Sequence, residues 1–165
     1  MIEMTVDALQ MSLVSPHRVV ILREVDTERY LPIWIGPCEA EAIVMHLNRV
    51  EMPRPMTHDL LTDILERLQA RLNYVYINAL TDSTFFAELS LDVNGRKVVI
   101  DSRPSDAIAI AVRTGATVYV AEEVLEEAGV VPEPDLTMET EDSELDIFRD
   151  FLNTLNLDTP PYETA

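Results

Sequence analysis

The chain has 165 residues, a formal net charge of −18, 47% apolar residues and only four glycines. That length and apolar content suit one folded domain with its own core rather than a disordered chain. A single cysteine, Cys38, rules out an intramolecular disulfide, and with only three scattered histidines a structural zinc site is not expected. No apolar run approaches the roughly 20 residues of a membrane span. Met1-Ile-Glu-Met-Thr-Val has no signal-peptide pattern, so a cytoplasmic protein is expected.

Charge is unevenly placed. Residues 1–129 hold 20 acidic and 11 basic side chains, while residues 130–165 hold 10 acidic and one basic. Half of the excess charge therefore sits in a short C-terminal stretch. Such a field opposes simple attraction to nucleic acid. An enzyme working on nucleic acid from this chain needs a local arginine cluster or a divalent ion to offset it. Lys97 is the only lysine among 12 basic residues, and arginine suits bidentate grip on phosphate or carboxylate.

In chain order, residues 2–14 alternate apolar and polar, as a half-buried strand does. Ser15-Pro16-His17 turns into a strand from Arg18 to Val25. Asp26 to Arg29 turns again into Tyr30-Leu-Pro-Ile-Trp-Ile35. Gly36-Pro37 then opens a helix with Ala40, Ile43, Val44 and Leu47 as its apolar stripe. A proline-stiffened loop, Val50 to Met56, leads to a second helix. Thr57 is its expected N-cap and Asp59 lies in its first turn. Its stripe reads Leu61, Ile64, Leu65, Leu68 and Leu72.

Alternation returns over residues 73–80, and a strand follows from Thr84 to Asp92. Asn94-Gly95 is a strong hairpin signal leading into Lys97 to Ile100. A third helix covers Ala107 to Arg113 and stops at Gly115. A last strand, Thr117 to Val120, precedes an acidic helix from Glu122 to Ala128. Three strands, two helices, three strands, a helix, a strand and a helix describe an α+β domain: a largely antiparallel mixed sheet with helices packed on it. It occupies residues 1–130. Residues 131–142 read as an acidic, proline-containing linker. Ser143 caps a short amphipathic helix over 143–157, with Leu145, Phe148, Leu152 and Leu155 on one face. Residues 158–165 read as a frayed tail.

Two polar clusters fall at helix starts, where free N–H groups and the helix dipole favour anions. One is Arg54-Pro-Met-Thr-His-Asp59. The other is Asp101-Ser-Arg-Pro-Ser-Asp106. In the second, Asp101 and Asp106 suit Mg²⁺ or Mn²⁺ held through oxygen, and Arg103 suits a phosphate clamp. A purely structural reading also fits: Ser102 or Ser105 caps the helix and Arg103 pairs with Asp101. In the first cluster, His58 suits general acid–base work, with Asp59 orienting it or binding metal. The bland alternative makes Thr57 the cap, Asp59 a dipole partner and His58 an exposed side chain. His46 beside the first helix stripe is expected to pack or face solvent. Glu39 and Glu41 lie in a first turn, where acids are common. No metalloprotease, P-loop, dinucleotide, nucleophile-elbow or EF-hand motif occurs.

Taken together, these pieces resemble the bifunctional nuclease family, named for activity on both DNA and RNA. The similarity rests on Leu31-Pro-Ile-Trp-Ile-Gly36, Glu39-Ala-Glu-Ala-Ile43, Arg54-Pro-Met-Thr-His-Asp-Leu60, Asp101-Ser-Arg-Pro-Ser-Asp-Ala-Ile-Ala109 and Val120-Ala-Glu-Glu-Val-Leu125, in family order over about residues 1–130. Met56 stands where family members often have Leu, and Ser102 where Ala is frequent. The resemblance implies a homodimer and a metal-assisted nuclease. Its candidate residues are His58, Asp59 and Asp106 for catalysis, Arg54 and Arg103 for substrate phosphate, and Asp101 with Asp106 for the metal. The rival expectations are a non-catalytic interaction module using the acidic tail and C-terminal helix, and a mononucleotide binder.

Overall fold

The structure, a computed structural model, describes residues 1–11 and 18–132. The chain runs β1 (Ile2–Met11), β2 (Arg18–Glu24), β3 (Tyr30–Ile35), α1 (Pro37–Leu47), α2 (Thr57–Arg67), β4 (Ala70–Thr81), β5 (Thr84–Val93), β6 (Arg96–Ser102), α3 (Pro104–Thr114), β7 (Thr117–Val120) and α4 (Glu122–Ala128). This is the α+β element order expected from the sequence. One seven-stranded sheet has the order β3-β2-β1-β7-β4-β5-β6. Two antiparallel meanders, β1 to β3 and β4 to β6, thus flank β7, which pairs antiparallel with β1 and parallel with β4. Helix α4 packs on both β3 and β4, although three strands separate them in the sheet. The sheet is therefore curled.

Local chemistry explains the turns. Asn94 and Gly95 have φ of 53° and 79°, the paired positive values that a two-residue hairpin loop requires. Gly115 at φ 68° ends α3 in the left-handed region, where a glycine carries no Cβ penalty. Arg29 joins the β2–β3 turn to α4, bonding Glu24 at 2.6 Å and Glu122 at 2.8 Å.

The core lies between the sheet and the helices. Met4, Leu22, Leu31, Ile43, Val75, Ile77 and Leu91 belong to it. Helix α3 is buried almost all round, with Pro104, Ser105 and Ala107 to Ala111 inaccessible. It packs against α1, α2, β4, β5 and β7, as a helix that is apolar over most of its surface must. Its small alanines let two other helices approach closely. Among the described residues, no helix is long and apolar enough to cross a membrane.

Several expectations need correction. Helix α2 ends at Arg67, because Gln69 takes φ 58° and turns the chain, so Leu72 belongs to β4 rather than to the helix stripe. Of that stripe, Leu61, Ile64 and Leu68 are exposed, and so are Val44 and Leu47 of α1. Thr57 is not the N-cap of α2: the helix begins on it, and the Asp59 carboxylate accepts the Met56 N–H at 2.9 Å instead. Neither serine caps α3. Ser102 is still in β6, Ser105 is inside the helix, and Arg103 stands at the cap position without a side-chain bond to the helix backbone. The first strand is described only to Met11. The Ser15-Pro16-His17 turn, most of the linker, the 143–157 helix and the 158–165 tail lie outside the described residues.

Candidate active site

The two polar clusters meet. His58, at the second position of α2, reaches Asp106 in the first turn of α3, with Nε2 and Oδ1 3.1 Å apart. His58 is 8% exposed, so a histidine that the sequence also allowed to be a solvent-facing side chain is buried against α3. Burial pushes the Asp106 carboxyl up, but hydrogen bonds from Arg103 and then His58 outweigh it and hold the group below its ordinary range. Ionised, Asp106 can only accept. His58 Nε2 therefore carries a proton and donates it, which fixes the ring tautomer and leaves Nδ1 as the basic nitrogen of a neutral imidazole.

Arg103 closes this cluster from the solvent side. Its Nε donates to Asp106 Oδ2 at 2.7 Å, and one terminal nitrogen donates to Asp106 Oδ1 at 3.1 Å and to Glu39 Oε1 at 2.8 Å. The pairing of Arg103 with Asp101 expected under the structural reading is replaced by these bonds. The geometry follows from backbone direction: β6 delivers Arg103 in extended conformation, and Pro104 starts the helix at once. The Arg103 side chain is 65% exposed, so its ion pairs are weak ones that an incoming anion can share.

A second cluster lies two turns along the same helix. Asp59 does not face His58's ring. Its Oδ1 accepts from Arg113 Nε at 2.6 Å, and its other oxygen serves the Met56 N–H. Burial raises the Asp59 carboxyl, while Arg113 and the Met56 N–H more than offset it, so the group is held low. Arg113 is nearly enclosed, and it also donates to the carbonyls of Ala109 at 2.8 Å and Ala42 at 3.0 Å. One guanidinium thus ties α1, α2 and α3 together. Beside it opens a cleft of about 320 Å³ lined by His46, Arg54, Met56, Asp59, Asp63 and Arg113. Arg54 is exposed at this cleft.

Asp101 stands apart from both clusters. It is exposed on β6, opposite Glu88 of β5. Among the described residues, no three His, Cys, Asp or Glu side chains converge to hold a metal ion. The donor chemistry agrees: Asp106 already accepts from His58 and Arg103. The residues therefore do not fit a preformed divalent-metal cage.

Two residues that join these clusters, Glu39 and Arg113, are not distinguished by the sequence alone. Glu39 looked like an ordinary first-turn acid, and Arg113 like the end of a helix. The available signals were the place of Glu39 in the Glu39-Ala-Glu-Ala-Ile43 piece and the seven-residue spacing of Arg113 from Asp106, which puts both on one helix face.

The chain is similar to known proteins over most of its length. The family model described as "Bifunctional nuclease domain" matches residues 20–133. An uncharacterized protein of Mycobacterium tuberculosis is 41% identical over 144 residues, covering 85% of this chain and 86% of that protein. Bifunctional nuclease 2 of Arabidopsis thaliana is 30% identical over 110 residues, covering 64% of this chain and 33% of the plant protein. Bifunctional nuclease 1 of Oryza sativa subsp. japonica is 26% identical over the same length and also matches along 33% of its own chain. The chain thus spans about a third of these plant relatives.

Proposed function

Given that this chain belongs to the bifunctional nuclease domain family, we propose that it is a nuclease hydrolysing phosphodiester bonds in DNA and RNA, assisted by Mg²⁺ or Mn²⁺. The observation that carries the site is the bond between His58 and Asp106, bracketed by exposed Arg103. A carboxylate that fixes a histidine tautomer, next to a cation able to take phosphate, is what hydrolysis of a phosphodiester needs from side chains.

In this reading Arg103 and Arg54 bind backbone phosphates. Arg103 turns part of its donor set from Glu39 to a non-bridging oxygen and stabilises charge as it builds there. His58 takes the proton from the attacking water through Nδ1, while Asp106 steadies the imidazolium that forms. The water oxygen bonds to phosphorus, the ester oxygen leaves with the bonding pair, and a proton from His58 or solvent neutralises it. Asp59 acts one step back, holding the start of α2 in place through Arg113. A divalent ion would offset charge between the acidic chain and a polyanion. Because the described residues form no preformed cage, none of these steps is assigned to it, and Asp101 is its remaining exposed carboxylate candidate.

The test is cleavage of DNA and of RNA by protein freed of contaminating nucleases, with Mg²⁺, with Mn²⁺ and with chelator. Cleavage of both polymers that is lost in His58→Ala, Asp106→Ala and Arg103→Ala is expected. Equal rates for Asp106→Ala, Arg103→Ala and the parent would place the chemistry elsewhere. No cleavage under any condition would favour the interaction-module reading.

A further inference from the structure

The cleft formed by the end of α1, the loop before α2 and the first turns of α2 has a volume of about 320 Å³, at the small end of the range for small-ligand sites. Its polar lining sorts into engaged and free groups. Both Asp59 oxygens are taken, by Arg113 and by the Met56 N–H. Arg113 is engaged by Asp59 and two carbonyls. Arg54 and Asp63 also line the cleft, are exposed, and form no hydrogen bond or ion pair with any described residue. Asp63 lies one turn beyond Asp59 on the same side of α2, and Asp59 is the neighbour of His58, so the cleft adjoins the candidate catalytic pair. Met45, Met52, Pro53, Pro55 and Met56 supply much of the remaining wall. We infer that this cleft is a base-recognition subsite that reads guanine in an unpaired strand, with Asp63 as the specificity-determining residue. The inference rests on the reading of Arg54 as a ligand of substrate phosphate.

The free groups select the ligand. Thioethers make favourable contacts with aromatic rings, and Pro53 and Pro55 stiffen the loop that carries Met52 and Met56. A ring that enters this wall lies between a cation and a carboxylate. An ionised aspartate only accepts, through two oxygens side by side. Guanine is the one base whose Watson–Crick edge carries two adjacent donors, its N1–H and its N2 amino group. It therefore meets a carboxylate with two parallel bonds, as an arginine fork does. Adenine and cytosine each offer one amino group beside an acceptor ring nitrogen. Uracil and thymine present a single N–H between two carbonyl oxygens, which a carboxylate repels.

A guanine nucleotide thus satisfies both free groups at once, with its phosphate on Arg54 and its donor edge on Asp63. His46, exposed at the same cleft, offers a ring N–H to the guanine O6 acceptor. In a duplex the Watson–Crick edge is already paired, so the base read here is unpaired, as it is where proteins read single strands along that edge.

Isothermal titration of the full chain with GMP, AMP, CMP and UMP, in chelator, tests the subsite. GMP should bind about tenfold or more tightly than UMP, the discrimination of one good bidentate pair, with AMP and CMP between them. Asp63→Asn replaces one acceptor oxygen by a donor and should bring the GMP-to-UMP ratio close to one. Arg54→Ala should weaken all four nucleotides alike and keep the ratio. Circular dichroism checks that each variant is folded. Four equal affinities, no binding of any nucleotide, or a guanine preference that survives Asp63→Asn would each overturn the assignment. Cleavage is not read in this titration. A chain that prefers GMP but cuts neither polymer keeps the subsite and loses the nuclease reading, while one that cuts both polymers and binds all four nucleotides equally does the reverse.

Discussion

His58 donates its Nε2 proton to Asp106 across 48 positions of sequence, at 3.1 Å. This bond joins the N-termini of α2 and α3 and makes one chemical unit from two separate loops. Asp106→Asn tests it with little change in volume. An amide can donate to Nε2 and select the wrong tautomer, and it loses charge-assisted bonds to Arg103. Turnover should fall roughly 10²–10⁴-fold, the range for losing an oriented base, with a smaller change in KM. Steady-state kinetics on a defined oligonucleotide, alongside an unchanged circular dichroism spectrum, checks this.

Arg54 reaches none of the reacting groups in this account, yet it stands exposed at the cleft beside Asp59. Arg54→Ala should therefore raise KM several-fold and leave kcat nearly unchanged. It should also flatten the dependence of kcat/KM on salt, because one phosphate contact is gone. A fall in kcat at constant KM would contradict a binding role.

Arg113 is a stability residue in this scheme. Its three acceptors belong to α1, α2 and α3. Arg113→Ala removes a buried charge-assisted bond to Asp59 and two bonds to helix carbonyls, at a cost of about 2–4 kcal/mol. Arg113→Lys should recover little, since an ammonium cannot span all three. Urea denaturation gives both values.

Acid should unfold the protein through two aspartates. Asp59 and Asp106 are both held below the ordinary carboxylate range in the fold. The unfolded chain then takes up protons first as pH drops through about 3.9. Stability from these groups is complete above that pH and is lost as pH falls toward the lower folded values. Urea midpoints should hold steady from pH 7 to about pH 5 and decline below about pH 4. Asp59→Asn should show a shallower decline over the same window.

The sequence carried the element order well, because alternation, Pro37, Pro104, Asn94-Gly95 and Gly115 are local signals with local causes. Both polar clusters were also visible as dense runs at helix starts. Their meeting was not, since the His58–Asp106 bond depends on how α2 lies across α3. Glu39 and Arg113 escaped for the same reason: their bonds to Arg103 and Asp59 span 64 and 54 positions, and nothing beside them in sequence is unusual. The α2 stripe misled in the opposite sense. Its leucines have helical spacing, but His58 and Asp59 decide which side of the helix is turned inward.

A helix held at one point can still spin about its long axis. Helix α2 is held at two, because His58 and Asp59 are neighbours that anchor to residues seven positions apart on α3, about 10 Å along it. Two anchors of different reach leave no free rotation. Leu60, Leu61, Ile64 and Leu68 cannot swing inward to hide, and the imidazole cannot drift from its carboxylate without the salt link at Asp59 giving way as well.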